Sequence, residues 1–255
     1  MIDIHCHILP GVDDGAKTIE DSLAMAKLAS EQGIHTIIAT PHHNNGTYEN
    51  SKQEILRKVK KLNEQLQSAD IDVTILPGQE PRINGEMSDD LEEDILLPLN
   101  ETSGYLFVEL PFDHIPRYTY ELLFDLQIKG FTPILVHPER NAEIMERPEA
   151  LYRFVKNGAL TQLTASAVCG KLGKKIQTLS EQLIEANLVH FISSDAHNTT
   201  SRPFYLREAY DEIESKYGSA LSYFFMENCE LLISGETVIG DIPKHIKRKK
   251  ILGLF

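Results

Sequence analysis

Tryptophan is absent from this chain, and cysteine occurs only at Cys6, Cys169 and Cys229. An odd number of widely spaced thiols builds neither a disulfide framework nor a cysteine zinc site, and it fits a reducing cytosol. No apolar run reaches the roughly 18–20 residues of a membrane span, and nothing at the N-terminus has the pattern of a secretory signal. Stable membrane insertion is therefore not expected. Basic residues are scarce, with 25 Lys and Arg against 38 Asp and Glu for a formal charge of −13. Such a field repels nucleic acid and anionic lipid, so no nucleic-acid partner is expected. An anionic substrate would need a concentrated positive site. The basic stretch Lys244–Lys250 reads as a solvated end.

What is present is an ordinary globular composition over 255 residues, 42% hydrophobic and 25% charged. Short β-branched runs recur at Ile2–Ile4, Thr36–Thr40, Asp72–Leu76, Leu106–Leu110, Thr132–Val136, Leu160–Ala165 and Val189–Ser193. Segments of helical period separate most of them. The clearest is Ser51–Ala69, with Ile55, Val59, Leu62 and Leu66 on one face. Asp21–Gln32, Tyr118–Lys129, Pro148–Asn157 and Arg202–Tyr217 are the others, each stopped by a glycine. Alternation of this kind predicts an α/β fold with a parallel sheet, at this length a closed barrel one strand short of eight. An open doubly wound sheet is the alternative. No linker or repeat divides the chain, so residues 1–255 are expected to form one domain.

The ionisable residues fall at the carboxyl ends of those strands, where barrel enzymes keep their active sites. His5 and His7 follow the first run at i, i+2 and share a face, with Cys6 pointing away. His42 ends the second run, Glu80 follows the third, and Glu109 sits in the end of the fourth. His137 closes the fifth, and Asp195 and His197 close the seventh. Singly, each reads as a hydrogen-bonded structural residue or a helix cap. Together, five histidines and three carboxylates converging on one end would be costly to bury without a cation. Mixed imidazole and carboxylate donors without sulfur suit a divalent catalytic metal. His35, His43, His114, His190 and His245 read as structural. No cysteine is followed six residues later by arginine, since Val12, Lys175 and Gly235 hold those places. Cysteine-based phosphate chemistry is thereby excluded.

Ile4-His5-Cys6-His7, Asp14, Pro41-His42, Gly78-Gln79-Glu80, Glu109, His137-Pro138-Glu139-Arg140 and Ser194-Asp195-Ala196-His197 resemble the polymerase and histidinol phosphatase (PHP) superfamily. Pro10–Gly15, His137–Asn141 and Asp195–Asn198 are similar to one branch, the bacterial manganese-dependent protein-tyrosine phosphatases of capsular and exopolysaccharide synthesis. The likeness runs from Ile2 to about Gly240. It implies a distorted seven-stranded, TIM-like barrel and three divalent ions, manganese first, with iron, zinc or magnesium as alternatives. It implies that His5, His7, Glu80 and Asp195 hold one ion, and Glu80, Glu109 and His137 a second. Asp14, His42 and His197 would hold the third. Arg140 and Arg202 match positions where that family carries phosphate-binding arginines, the latter at the start of the expected Arg202–Tyr217 helix. The implied substrate is a phosphotyrosine protein, a bacterial tyrosine kinase, met in the cytoplasm. Pro81 directly after Glu80 departs from expectation and would restrict the bridging carboxylate. Two other readings stand beside this one: a phosphatase of small esters such as histidinol phosphate, and a non-catalytic metal-dependent binding protein.

Overall fold

The computed structural model describes residues 1–246. Most of the basic stretch, Lys247 to Lys250, lies outside the described residues. The strands are β1 (Ile2–Cys6), β2 (Thr36–Ala39), β3 (His42–His43), β4 (Thr74–Pro77), β5 (Glu80–Pro81), β6 (Tyr105–Val108), β7 (Thr132–Val136), β8 (Leu160–Thr164) and β9 (Phe191–Ser193). All pairings are parallel, in the orders β1-β2-β4, β3-β5 and β6-β7-β8-β9. The result is a mixed α/β fold of parallel sheets, and the seven expected runs all appear as strands. They do not form one continuous closed ladder. Pro41 and Pro77 each remove a backbone donor where β2 and β4 would run on into β3 and β5. Single parallel bridges, Cys6 to Ala196 and Arg82 to Glu109, join the sheets instead.

Helices cover the outside of the sheets. Lys52–Ser68 buries Ile55, Val59, Leu62 and Leu66, and the Ser51 side chain caps it by accepting from Glu54 N–H. Ile19–Glu31 begins with a reciprocal Thr18–Asp21 capping box. One boundary moves with consequence. The last expected helix starts at Leu206, not Arg202, because Pro203 disfavours helical backbone at the residue before it. Arg202 consequently lies on a loop, where the Asn198 side-chain oxygen accepts from Thr200, Ser201 and Arg202 N–H at 2.8–3.1 Å.

Ile4, Ile38, Phe107, Ile134 and Phe191, one from each of five strands, are fully buried in an inner apolar cluster. Burying each contributes about 1.5–3 kcal/mol. The pairing of β1 with β2 shifts between Asp3 and Cys6, an extra residue in β1. A bulge of this kind re-aims side chains. Ile4 thus belongs to the inner cluster, while the His5 ring packs at a tilt against Phe107 of that same cluster with ring centroids 5.0 Å apart. The inner cluster is the floor on which the polar end of the molecule rests.

Candidate metal centre

β3 and β5 were not foreseen as strands, and they carry two of the expected site residues. His42 pairs with Glu80, and His43 with Pro81. Pro81 is tolerated for a specific reason. Pairing with β3 uses the N–H groups of Glu80 and Arg82, and on its other side Pro81 only accepts, from Glu109 N–H at 3.0 Å. The proline therefore costs no ladder bond, and Glu80 keeps a fully buried carboxylate.

That carboxylate is ringed by imidazoles. Its oxygens lie 2.8 Å from His137 Nε2, 2.9 Å from His42 Nδ1, 3.3 Å from His7 Nε2 and 3.4 Å from His5 Nε2. Asp195 Oδ1 lies 3.3 Å from His7 Nε2 and 3.5 Å from His5 Nε2. Asp14 Oδ1 lies 3.3 Å from His197 Nε2 and 3.4 Å from His42 Nε2. Glu109 approaches His42 at 3.8 Å and His137 at 3.9 Å. All nine residues expected as ligands thus meet in one place. Donor atoms of seven of them gather into three overlapping groups, His7-Asp14-His42-His197, His5-His7-Glu80 and His42-Glu80-Glu109, each within 4.8 Å, while His137 and Asp195 stand beside these groups. The grouping differs from expectation in three respects: His7 also joins the Asp14 group, His42 takes the place expected for His137 beside Glu80 and Glu109, and Asp195 joins no group although it lies close to His5 and His7.

The donor set fits divalent ions on two observations. His5 Nε2, His7 Nε2, His42 Nδ1, His197 Nε2, Glu80 Oε2 and Glu109 Oε2 are buried without a hydrogen-bond partner among the described residues. Such atoms are costly unless something neutralises them. The far side of three rings, by contrast, is engaged: His5 Nδ1 with Gln162 Oε1 at 2.9 Å, His7 Nδ1 with Asp13 Oδ2 at 2.7 Å, and His197 Nδ1 with the Asp195 carbonyl at 2.9 Å. A ring that donates from Nδ1 turns the lone pair of Nε2 inward, the arrangement of a metal-ligating histidine.

The backbone bends to deliver two of these side chains. His137 and Asp195 hold left-handed conformations, φ 35° and 52°. Each costs about 1–3 kcal/mol and persists only where the surroundings fix it. Here His137 N–H donates to the Gln162 carbonyl at 2.8 Å and Asp195 N–H to that of His5 at 2.9 Å. Gly15 is held against His7 so closely that a Cβ there would lie 2.0 Å from the His7 carbonyl oxygen.

Charge in the cluster is tightly balanced. Burial and the neighbouring Glu80 push the Glu109 carboxyl up to about 7, and burial with Arg140 nearby brings His137 down to about 3. Against the penalty of burial, Arg140 and the imidazoles hold Asp195 well below the usual carboxylate range. Both expected arginines reach the cluster. Asp195 Oδ2 accepts from Arg140 at 2.8 Å and from Arg202 at 3.0 Å, and Arg202 also lies 3.3 Å from Asp14 Oδ2. Arg140 therefore turns to Asp195 and not to its sequence neighbours Glu139 or Glu143.

Three residues went unassigned in the sequence. Asp13 accepts from His7, from Gly15 N–H at 2.9 Å and from His42 N–H at 3.2 Å. Gln162 meets His5 from the middle of a buried strand, where an amide inside an apolar run was the available signal. Arg82 Nε lies 3.0 Å from Glu109 Oε2. Its spacing of two from Glu80 in extended chain was the clue to a shared face. Among the described residues, His35, His43, His114, His190 and His245 stay out of the donor groups.

Known proteins resemble this chain over its whole length. Residues 1–234 match the family model "Capsular polysaccharide synthesis, CpsB/CapC". The tyrosine-protein phosphatase YwqE of Bacillus subtilis (strain 168) is 49% identical over 255 residues, all of both chains. The putative tyrosine-protein phosphatase CapC of Staphylococcus aureus is 37% identical over 258 residues, again the whole of both. A crystal structure from work on B. subtilis YwqE and Streptococcus pneumoniae CpsB, described as unique metal-dependent tyrosine phosphatases, is 49% identical and superposes with a TM-score of 0.95 over 97% of this chain and 100% of that one. The chain belongs to the CpsB/CapC family of capsular polysaccharide synthesis.

Proposed function

We propose that this chain is a metal-dependent protein-tyrosine phosphatase that acts on a bacterial tyrosine kinase and its substrates, and so regulates capsular and exopolysaccharide synthesis. The observation that carries the reading is the set of buried, partnerless imidazole and carboxylate atoms facing one another at the carboxyl ends of the strands. The kinship with YwqE and CapC supports the same conclusion. On this reading residues 1–255 act as one cytoplasmic domain, its three sheets forming one distorted seven-stranded barrel. The three free thiols and the absence, among the described residues, of any helix long and apolar enough to cross a membrane agree with that.

The donor groups support three divalent ions, manganese first, with Glu80 shared. His5, His7, Glu80 and Asp195 would hold one, Glu80, Glu109 and His137 the second, and Asp14, His42 and His197 the third. His7 and His42 stand near enough to a neighbouring group to serve either. When bound, the ions would activate water and draw negative charge from the phosphoryl group. The chain's own part is orientation. Asp195 steadies the guanidiniums of Arg140 and Arg202 through one oxygen. Their remaining N–H groups are then free to fork across phosphate oxygens as charge shifts onto them. A phenol of pKa about 10 leaves more readily than an alkoxide, which lessens the need for a dedicated general acid. The test is hydrolysis of matched phosphotyrosine and phosphoserine peptides by chelator-stripped protein in an added-metal series. Manganese-restored turnover of the phosphotyrosine peptide is expected. Turnover of histidinol phosphate in preference to it would overturn the substrate assignment.

A further inference from the structure

Phe112 lies three residues beyond Glu109, and 56% of its surface is exposed. The loop under it is nonetheless fixed. The Phe112 carbonyl accepts from Ala142 N–H at 2.7 Å, and the Pro111 carbonyl accepts from Asn141 Nδ2 at 2.6 Å. A large apolar ring on an anchored backbone, more than half exposed, contributes little to a core, and beside a polar cluster it offers an aromatic contact surface.

Its neighbours tie it to the metal centre. Arg82 Cζ stands 5.6 Å and Arg140 Cζ 5.8 Å from the ring centroid. The same two guanidiniums hold cluster carboxylates, Arg82 at Glu109 and Arg140 at Asp195. One side chain therefore separates the Phe112 ring from the donor cluster on each of two paths. Cation–π attraction fixes the ring's place without covering it, since more than half of its surface stays free.

We propose that Phe112 determines substrate class at this centre by packing against the phenyl ring of a phosphotyrosyl residue whose phosphate lies at the cluster and Arg140. This rests on the phosphatase reading above and adds to it the origin of the preference for an aryl ester. In phosphotyrosine the ring is bonded directly to the ester oxygen, so with the phosphate at the cluster and Arg140 the ring would come within reach of Phe112, whose centroid is 5.8 Å from Arg140 Cζ. Phosphoserine and phosphothreonine offer only a short aliphatic stem there. An offset or edge-on aromatic pair is expected to be worth about threefold to tenfold in affinity.

The test compares two phosphonates that share an anionic head and differ by the ring, phenylphosphonate and methylphosphonate. Binding of each to manganese-loaded protein is measured by calorimetry, with metal content checked in every variant. Wild type should bind phenylphosphonate more tightly. Phe112→Ala and Phe112→Leu should weaken phenylphosphonate about threefold to tenfold and methylphosphonate by less than about twofold, while Phe112→Tyr should keep the preference. Leu retains bulk without the ring, which separates stacking from simple filling of the rim. Equal loss for both phosphonates, or no loss in either variant, would overturn the assignment of Phe112 and leave the phosphatase reading intact. Manganese-loaded wild type that binds neither phosphonate would overturn both.

Discussion

Asp13→Asn is the sharpest probe of how the centre is held. Three donors converge on this one carboxylate, which is 4% exposed: His7 Nδ1 at 2.7 Å, His42 N–H at 3.2 Å and Gly15 N–H at 2.9 Å. An amide has one acceptor oxygen in place of two. If that oxygen serves Gly15, the amide N–H₂ faces His7, which must accept at Nδ1 and move its proton to Nε2, the atom that points at Glu80 and Asp195. If the oxygen serves His7, two N–H groups oppose each other at Gly15. Either way a charge-assisted bond is lost, about 1.5–3 kcal/mol. Expressed as metal affinity that is about 10–100-fold, the size expected for a partner that orients a ligating histidine. The assay is manganese titration against a chromophoric chelator, paired with denaturant unfolding of the metal-free protein. The variant should lose manganese affinity by more than it loses metal-free stability. Wild-type affinity in Asp13→Asn would refute the claim that Asp13 sets the His7 tautomer.

The arginines and one buried histidine give further expectations. Arg140→Lys and Arg202→Lys should each lower kcat/KM on a phosphotyrosine peptide by roughly tenfold or more at unchanged metal content, because an ammonium cannot copy a two-pronged contact with phosphate; wild-type values in both would remove them from the site. His190, 3% exposed, is lowered by burial to about 4 from 6.5, and its Nδ1 accepts from Thr161 N–H at 3.2 Å. Because the folded value lies below the unfolded one, the unfolded chain takes up the proton first. The contribution of neutral His190 is thus fully present above about pH 6.5 and is lost as pH falls toward 4, up to about 3 kcal/mol. Urea unfolding across that range should show a shallower pH dependence in His190→Gln than in wild type, and parallel curves would contradict it.

Much of the site was legible because its chemistry rides on strand ends. A period-two strand stopped by a histidine or carboxylate shows both the strand and the direction of the side chain, and His5, His137 and Asp195 could be read that way. The continuity of the sheets was less legible. Its interruptions come from single prolines and from a one-residue bulge in β1, and no window of hydrophobic periodicity is fine enough to register either. The apolar period of Leu206–Tyr217 extrapolates backward to Arg202, whereas Pro203 stops the helix short of it. Asp13, Gln162 and Arg82 were missed for a common reason. Each touches a member of the cluster, Asp13 at His7, Gln162 at His5 and Arg82 at Glu109, and the faint local signals at Gln162 and Arg82 do not identify those partners without tertiary contact.

Glu80→Gln tests the central claim most directly. The change keeps the shape of a fully buried side chain and removes the charge shared by two of the three donor groups. Chelator-stripped wild type and variant are reloaded with manganese, and bound metal and phosphotyrosine hydrolysis are measured on the same samples. The account predicts that wild type regains metal and activity together, while Glu80→Gln folds, binds less metal and loses at least about a hundredfold in kcat, roughly 3 kcal/mol of transition-state stabilisation. A Glu80→Gln protein with wild-type kcat and full metal content would contradict it.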